Sequence, residues 1–453
     1  MSESLVQIRS SLRPDGKHTT VHAADVRGRF TSARRLVFLV LIGMYLLLPW
    51  VPVGGHPAVF LDVVTRHFYL FGMTFNAQDV WLMTFLLTGG AFGLVYLTAL
   101  AGRVWCGWAC PQTVFLDGVY RRIERVIEGP REQRLRRAAA PWGAGKIARR
   151  VTLHAIYFAV SALLAHVFLS YFVSLPALFD MVHRTPGAHP EAFGVVAFLT
   201  GVLYFDFAWF REQFCVVLCP YGRLQSVLLD QNSLVIGYDA ARGEPRGKVK
   251  DPARGACVDC NRCVVVCPTG IDIRNGLQLD CIACTACIDA CDQIMDRVGQ
   301  PRGLVRYDSQ NGLAGKTTKI LRPRVYAYTA LLLLGAGVAT FAFGARTEVE
   351  ANLLRLPGAP FVIDGERIRN SYELHLVNKR GVRTTFQLAA DAPADVVLPL
   401  AQVTLDSLAQ ARVPIFASVP RAGWHGGFPV RVHVVAEDAP QVTHDASAPF
   451  LGP

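Results

Sequence analysis

The chain has 453 residues, 52 % of them apolar and only 18 % charged, with a formal net charge of +11 and a mean hydropathy of +0.30. A soluble domain carries about 25 % charged residues, so this deficit excludes an ordinary soluble enzyme. Twelve cysteines, gathered in three tight groups along so long a chain, exclude a small disulfide-stapled secreted protein and read as metal ligands. Length alone predicts about three units of ~150 residues.

In chain order, a polar segment (residues 1–35) comes first and holds seven basic residues: Arg9, Arg13, Lys17, Arg27, Arg29, Arg34 and Arg35. Five apolar runs then meet the requirement of about 20 mostly apolar residues for a membrane-crossing helix. They run from Leu36 to Val53, Val80 to Ala101, Val151 to Leu175, Phe193 to Phe210 and Val325 to Phe343. The first is read as a retained anchor, because a long polar stretch precedes it and no small-residue cleavage site follows. Residues 102–150 hold eleven Lys or Arg and residues 211–324 hold sixteen, whereas 54–79 has only Arg66 and 176–192 only Arg184. Positive loops stay in the cytoplasm. The expected organisation is therefore a cytoplasmic 1–35 segment, a four-helix membrane domain over 36–210 with a cytoplasmic loop at 102–150, a cytoplasmic domain over 211–324, a fifth span at 325–343 and an external domain over 346–453. Nucleic-acid binding is the rival account of the positive charge. The Arg-rich loop lacks the interleaved aromatics it would need, so no nucleic-acid partner is expected.

The 211–324 segment carries the strongest signal: Cys257, Cys260, Cys263 and Cys267, then Cys281, Cys284, Cys287 and Cys291. Both quartets read C-x2-C-x2-C-x3-C, the bacterial ferredoxin run in which three thiolates wrap one face of a cubane and the fourth cysteine ligates the other cluster. One 4Fe-4S centre is therefore assigned to Cys257, Cys260, Cys263 and Cys291, and a second to Cys281, Cys284, Cys287 and Cys267. Zinc, which also uses C-x2-C pairs, is disfavoured because tripled spacing is wasted on an ion that takes its thiolates as two pairs. Pro268 follows the first run, whereas Asp292 stands where the second would have its proline.

The other four cysteines form two C-x3-C-P pairs, Cys106 with Cys110 before Pro111, and Cys215 with Cys219 before Pro220. Positions i and i+4 share one face of a helix, so each pair is expected to set two sulfurs side by side, with the proline marking where the helix stops or kinks. Both pairs follow the second and fourth spans, so four thiols converge if those spans are neighbours. Such a soft site suits Cu(I), another iron-sulfur centre or zinc; the alternative is buried cysteine as a small apolar residue.

Weaker signals remain. His154 and His166 lie too far apart around one helix to ligate a single haem, and hydrogen bonds within the bundle are expected of them. Asp206 is a costly residue within a span and a functional candidate by default. Trp105, Trp108 and Trp209, near span ends, read as interface anchors. After the last span, Tyr372, Leu374 and Leu376 alternate with Glu373 and His375, and Val430, Val432 and Val434 with Arg431 and His433. With Gly and Pro punctuation, this period-two pattern predicts an antiparallel β-sandwich. His425 and His433 are read as surface residues.

The stretches Cys106-Gly-Trp-Ala-Cys-Pro-Gln-Thr113, Cys219-Pro-Tyr-Gly-Arg223 and Cys267-Pro-Thr-Gly-Ile-Asp-Ile-Arg-Asn-Gly-Leu-Gln278 resemble the CcoG (FixG/RdxA) family of cytochrome c oxidase accessory proteins over nearly the whole chain. The resemblance implies five spans, two 4Fe-4S clusters, an external immunoglobulin-like domain and a part in assembling the cbb3-type oxidase. It further implies reduction of Cu(II) to Cu(I) on the cytoplasmic side, with Cys106, Cys110, Cys215 and Cys219 as the place where copper is bound or reduced. The expected protein is thus a multi-pass bacterial inner-membrane oxidoreductase. Its expected partners are membrane lipid, copper ions, oxidase subunits or copper chaperones, and an electron donor that the sequence does not name; self-association is left open. Two other functions stay open: a quinol-oxidising membrane subunit of the nitrate and nitrous-oxide respiration type, and a non-catalytic assembly scaffold.

Overall fold

A computed structural model describes residues 20–76 and 79–453; the basic residues Arg9, Arg13 and Lys17 lie outside the described residues. Five helices are long and apolar enough to cross a bilayer: α1 (Arg29–Leu47), α2 (Val80–Ala101), α3 (Ala144–Leu169), α4 (Pro190–Phe205, prolonged by a π-helical turn at Asp206–Phe210) and α5 (Pro323–Gly344). Their apolar side chains are left open to the surroundings, among them Leu36, Leu87, Phe198, Leu333 and Phe341. Exposed apolar helices on this scale are solvated by lipid, which makes this an integral membrane protein.

Two helices are displaced from the apolar runs. α1 begins at Arg29, seven residues before Leu36, and ends at Leu47, because Pro49, one residue past the still-helical Leu48, has no amide hydrogen to continue the ladder. α3 begins at Ala144, taking in Lys146, Arg149 and Arg150, whose long unbranched side chains favour helix. It ends at Leu169, and Leu175–His183 forms a separate helix with Pro176 in its first turn. Hydropathy marks the lipid-facing stretch, while helices extend as far as propensity and capping allow.

The chain divides into two compact units, one reaching to Phe60 and resuming over Phe85–Ala336, the other made of Leu61–Thr84 and Gly337–Pro453. In the first, α3 and α4 pack around Tyr120, Leu153, Tyr157, Leu164 and Phe207, with the Tyr120 ring stacked on Phe207 at 4.5 Å. Below them an antiparallel pair, β1 (Leu234–Tyr238) and β2 (Val305–Ser309), sets Leu234 opposite Ser309 and Tyr238 opposite Val305. The pair packs with the helices Arg262–Val265 and Ala286–Arg297 over Ile236, Ile271, Ile273, Ile288, Met295 and Leu304. Asp289, buried on the second of these helices, accepts hydrogen bonds from the Phe30 and Thr31 amides (3.3 and 2.7 Å) and the Thr31 hydroxyl (2.6 Å). A carboxylate satisfying the open amides of a first turn is a helix cap in trans. Gly28 permits it, since a Cβ there would lie 2.2 Å from the Asp289 carboxyl carbon.

The second unit contains an antiparallel sandwich of β3 (Val349–Arg355), β4 (Val362–Asp364), β5 (Arg367–Asn378), β6 (Thr384–Asp391), β7 (Asp395–Val397), β8 (Gln402–Leu405), β9 (Gln410–Pro420), β10 (Phe428–Ala436) and β11 (Ala439–Phe450). One sheet runs β7-β9-β5-β3 with β4 paired to β5, the other β8-β6-β10-β11. Tyr372, Leu374 and Leu376 of β5 and Val430, Val432 and Val434 of β10 are all fully buried, as their alternation predicts. Asp79, buried in this unit, is held by Lys379 (3.0 Å) and Arg346 (2.9 Å).

Candidate functional site

The two C-x2-C-x2-C runs fold alike. In the first, Asp259 (φ 49°) and Asn261 (φ 55°) flank Cys260; in the second, Ala283 (φ 53°) and Thr285 (φ 64°) flank Cys284. Each middle cysteine thus sits between two left-handed residues, none of them glycine, a conformation that costs ~1 kcal/mol or more per residue. The alternation bends the chain back on itself so that successive thiols face a common volume. Asn261 and Thr285 then become the residues preceding the helices that carry Cys263 and Cys287.

Two small cavities sort the eight sulfurs. One is lined by Cys257, Cys260, Cys263 and Cys291 beside Tyr238 and Arg274; the other by Cys267, Cys281, Cys284 and Cys287, with Cys263 at the shared side. Each run therefore supplies three cysteines to one cavity and its last cysteine to the other. Burial pushes the Cys263, Cys284 and Cys291 thiols up to about 12 and Cys281 up to about 11. Without metal these sulfurs are neutral thiols, and ligation must expel their protons. All twelve cysteines are free of disulfides. Among the described residues no three or more His, Cys, Asp or Glu side chains gather tightly enough for a single ion, so four-sulfur cavities of this kind fit a cubane better than zinc. Asp292, at the position that lacks a proline, accepts from the Gly303 amide at 3.0 Å and tethers the chain leading to β2.

Neither C-x3-C-P pair lies on one regular α-helix, which corrects the i, i+4 expectation. Cys106 is on the short helix Val104–Trp108, while Cys110 is extended (φ −62°, ψ 127°) and precedes the helix Pro111–Phe115. Cys215 lies in a π-helical turn, Phe214–Leu218, and Cys219 (φ −69°, ψ 111°) precedes the helix Pro220–Leu228. The Cys110 and Cys219 amides each reach back five residues, to the carbonyls of Trp105 (2.9 Å) and Phe214 (2.8 Å). The proline forces the residue before it out of helical geometry, so the second cysteine of each pair becomes a hinge between helices.

The pairs nonetheless meet. Cys215 lies within electrostatic reach of Cys110, Cys106 and Cys219, and burial, then these neighbours, push its thiol up. Cys110 is raised by burial too, against the opposing pull of the Thr113 amide. The Cys106 sulfur accepts from buried Gln225 at 3.2 Å and shares an apolar cluster with Cys284, Ile282 and Ala286. Gly107 seals this junction: a Cβ there would lie 2.5 Å from the Ile282 carbonyl oxygen and 2.9 Å from Ala283. The paired-cysteine loop thus rests on the backbone between Cys281 and Cys284.

Trp108 is not an interface anchor. Its buried indole nitrogen faces Tyr307, whose hydroxyl donates to the Ala283 carbonyl at 3.0 Å, so the ring belongs to the same junction. Trp105 and Trp209 remain partly exposed. Asp206 accepts from Gln112 (3.1 Å), two residues beyond Cys110. Arg34 donates to the Gly107 carbonyl (2.6 Å) and pairs with Asp117 (2.5 Å); Arg121 pairs with Asp117 (2.7 Å) and Glu212 (3.1 Å). Gln225, Arg34, Asp117 and Tyr307 carried no motif, because each acts through a partner distant in sequence. His154 bonds to Tyr204 (2.9 Å) and His166 to the Ala162 carbonyl (2.8 Å), while His425 is exposed and His433 pairs with Asp445 (2.7 Å).

Spans, ferredoxin loops and sulfur-lined cavities define an integral membrane iron-sulfur protein of electron transfer. Comparison with known proteins agrees. A family described as a 4Fe-4S dicluster domain matches residues 210–310, a 4Fe-4S binding domain matches 82–130, and the IG-like fold at the C-terminus of FixG matches 339–453. Protein RdxA of Cereibacter sphaeroides is 37 % identical over 417 residues, 88 % of this chain and 87 % of RdxA. Nitrogen fixation protein FixG of Rhizobium meliloti is 36 % identical over 86 % of this chain and 83 % of its own. Ferredoxin-type protein NapH of Haemophilus influenzae is 26 % identical over 58 % of this chain and 87 % of its own. The chain belongs to the FixG/RdxA family and carries two 4Fe-4S clusters.

Proposed function

We propose that this chain reduces Cu(II) to Cu(I) and thereby supports copper delivery to, and assembly of, a cbb3-type cytochrome c oxidase. The observation that carries this reading is the junction at Gly107, where one member of a group of four soft donors (Cys106, near Cys110, Cys215 and Cys219) packs with the loop bearing Cys281 and Cys284. Cys257, Cys260, Cys263 and Cys291 hold one cluster and Cys281, Cys284, Cys287 and Cys267 the other, in keeping with the two cavities. When bound, these clusters store and pass single electrons over a wide range of potentials. Each Cu(II) gains one electron and leaves as Cu(I), and an external low-potential reductant replaces that electron. The chain contributes thiolates, which favour the reduced ion, in a partly buried setting where Gln225 bonds Cys106 and the Thr113 amide faces Cys110. Copper must displace protons from the raised Cys110 and Cys215 thiols, so uptake releases acid.

The distribution of Lys and Arg supports an orientation in a bacterial inner membrane with residues 1–35, 102–150 and 211–324 in the cytoplasm and the sandwich in the periplasm. Oxidase subunits or copper chaperones are the proposed partners. The test is anaerobic purification with iron and copper counting, then a Cu(II) reduction assay on wild type and a Cys110→Ser, Cys219→Ser double variant. At least a tenfold loss of turnover with iron content intact is expected; unchanged turnover would remove the paired thiols from the mechanism.

A further inference from the structure

A cavity of about 410 Å³ opens at the start of α1 and is lined by Arg34, Arg35, Arg121, Arg122, Arg125 and Arg134. Among the described residues two carboxylates line it, and both are engaged: Asp25 with Arg125 (2.6 Å), and Asp117 with Arg34 and Arg121. Arg134 is held by Glu124 (3.2 Å) and by the Ala23 carbonyl (2.8 Å). That leaves Arg35 and Arg122, which among the described residues have neither an ion pair nor a hydrogen bond. They lie close enough to repel: burial, and then the Arg35 guanidinium, hold Arg122 below its ordinary value. A concave site with two unpaired guanidiniums calls for an anion with several acceptor oxygens, and the planar fork of arginine matches phosphate geometry.

We infer that this cavity binds the phosphate group of an anionic phospholipid headgroup. Free phosphate shares that chemistry, but the position of the site favours lipid. Arg35 adjoins Leu36, where the lipid-facing run of α1 begins, and Leu36 and Leu39 are each 64 % exposed. Phe38 and Val126 line the cavity itself, giving the basic site apolar walls beside the start of that lipid-facing run. Basic pockets at the ends of membrane helices bind anionic headgroups in this way. The same arginines reach the redox loops, Arg34 through the Gly107 carbonyl (2.6 Å) and Arg121 through the Pro268 carbonyl (2.9 Å). An anion held here therefore borders the loop after Cys267 at Pro268 and is joined to the paired-cysteine loop through Arg34.

The test is native mass spectrometry on the delipidated full chain in detergent, titrated separately with phosphatidylglycerol, phosphatidylcholine and inorganic phosphate. Phosphatidylglycerol is expected to bind, phosphatidylcholine not, and inorganic phosphate in tenfold excess not to displace the lipid. An Arg35→Gln, Arg122→Gln double variant should bind phosphatidylglycerol about thirtyfold more weakly, the equivalent of about 2 kcal/mol, with its iron-sulfur absorbance unchanged. The corresponding double lysine variant should retain most of the affinity. Equal binding of the two lipids, or undiminished binding by the glutamine variant, overturns the site; binding of inorganic phosphate to the exclusion of phosphatidylglycerol overturns the lipid as its source. Should the glutamine variant fail to fold, the lipid selectivity of the wild type decides.

Discussion

Asp117 shows how much one side chain carries at the junction between the helices and the ferredoxin loops. Burial alone would raise its carboxyl, but the Arg121 and Arg34 guanidiniums outweigh that and hold it below the usual carboxylate range. A carboxylate depressed in the folded state contributes stability that is present above its unfolded value of ~3.9 and lost as pH falls through the lower folded value. Asp117→Asn should cost roughly 3–5 kcal/mol near neutrality, because it leaves the Arg34 guanidinium without an anionic partner and Arg121 with Glu212 alone. Its melting temperature, followed by tryptophan fluorescence in detergent, should fall well below wild type at pH 7, and the gap should narrow below about pH 4. Nothing in the sequence singled out Asp117. A lone aspartate in an Arg-rich loop becomes a hub only when Arg34, 83 positions away, joins the local pair with Arg121, and such a distant pairing leaves no periodic trace in one chain.

At the scale of elements, legibility followed the range of the physics. The cysteine runs were readable because cluster ligation is dictated by local spacing, and the β-sandwich because alternation is a property of each strand by itself. The C-x3-C-P pairs were misread as helical because the backbone demand of Pro111 and Pro220 on the preceding residue outweighs i, i+4 periodicity. Trp108 was misplaced for a related reason: proximity to a span end says nothing about which way a short helix turns. The cavities make the last cysteine of each run the element that ties the halves together. Cys291→Ser should therefore perturb the centre lined by Cys257, Cys260 and Cys263 while leaving its partner's spectrum in place. Anaerobic EPR with iron quantification checks this, and a change confined to the centre lined by Cys281, Cys284 and Cys287 would contradict the crossed pattern.

For the whole molecule, the five long apolar helices were evident from hydropathy, but their ends were not, since propensity and capping set them. The proposed orientation makes a direct prediction. A cysteine placed at Ala422, exposed in the sandwich, should react with a membrane-impermeant maleimide in intact spheroplasts. One at Ala138, exposed in the basic loop, should react only after lysis. The reverse pattern would invert the topology and set the cluster loops on the oxidising side, where reduced thiolates do not persist.

The contact between Asp289 and the first turn of α1 also constrains the order in which the protein is made. The Thr31 amide and its acceptor are separated by 258 residues, so the first helix leaves the ribosome long before its cap exists. Until residue 289 has been translated and the loops around it have closed, that terminus must rely on water or a chaperone for its hydrogen bonds. Seating of the first helix and maturation of the iron-binding segment are therefore coupled late events, and a nascent chain truncated before residue 289 should leave the first helix incompletely fixed.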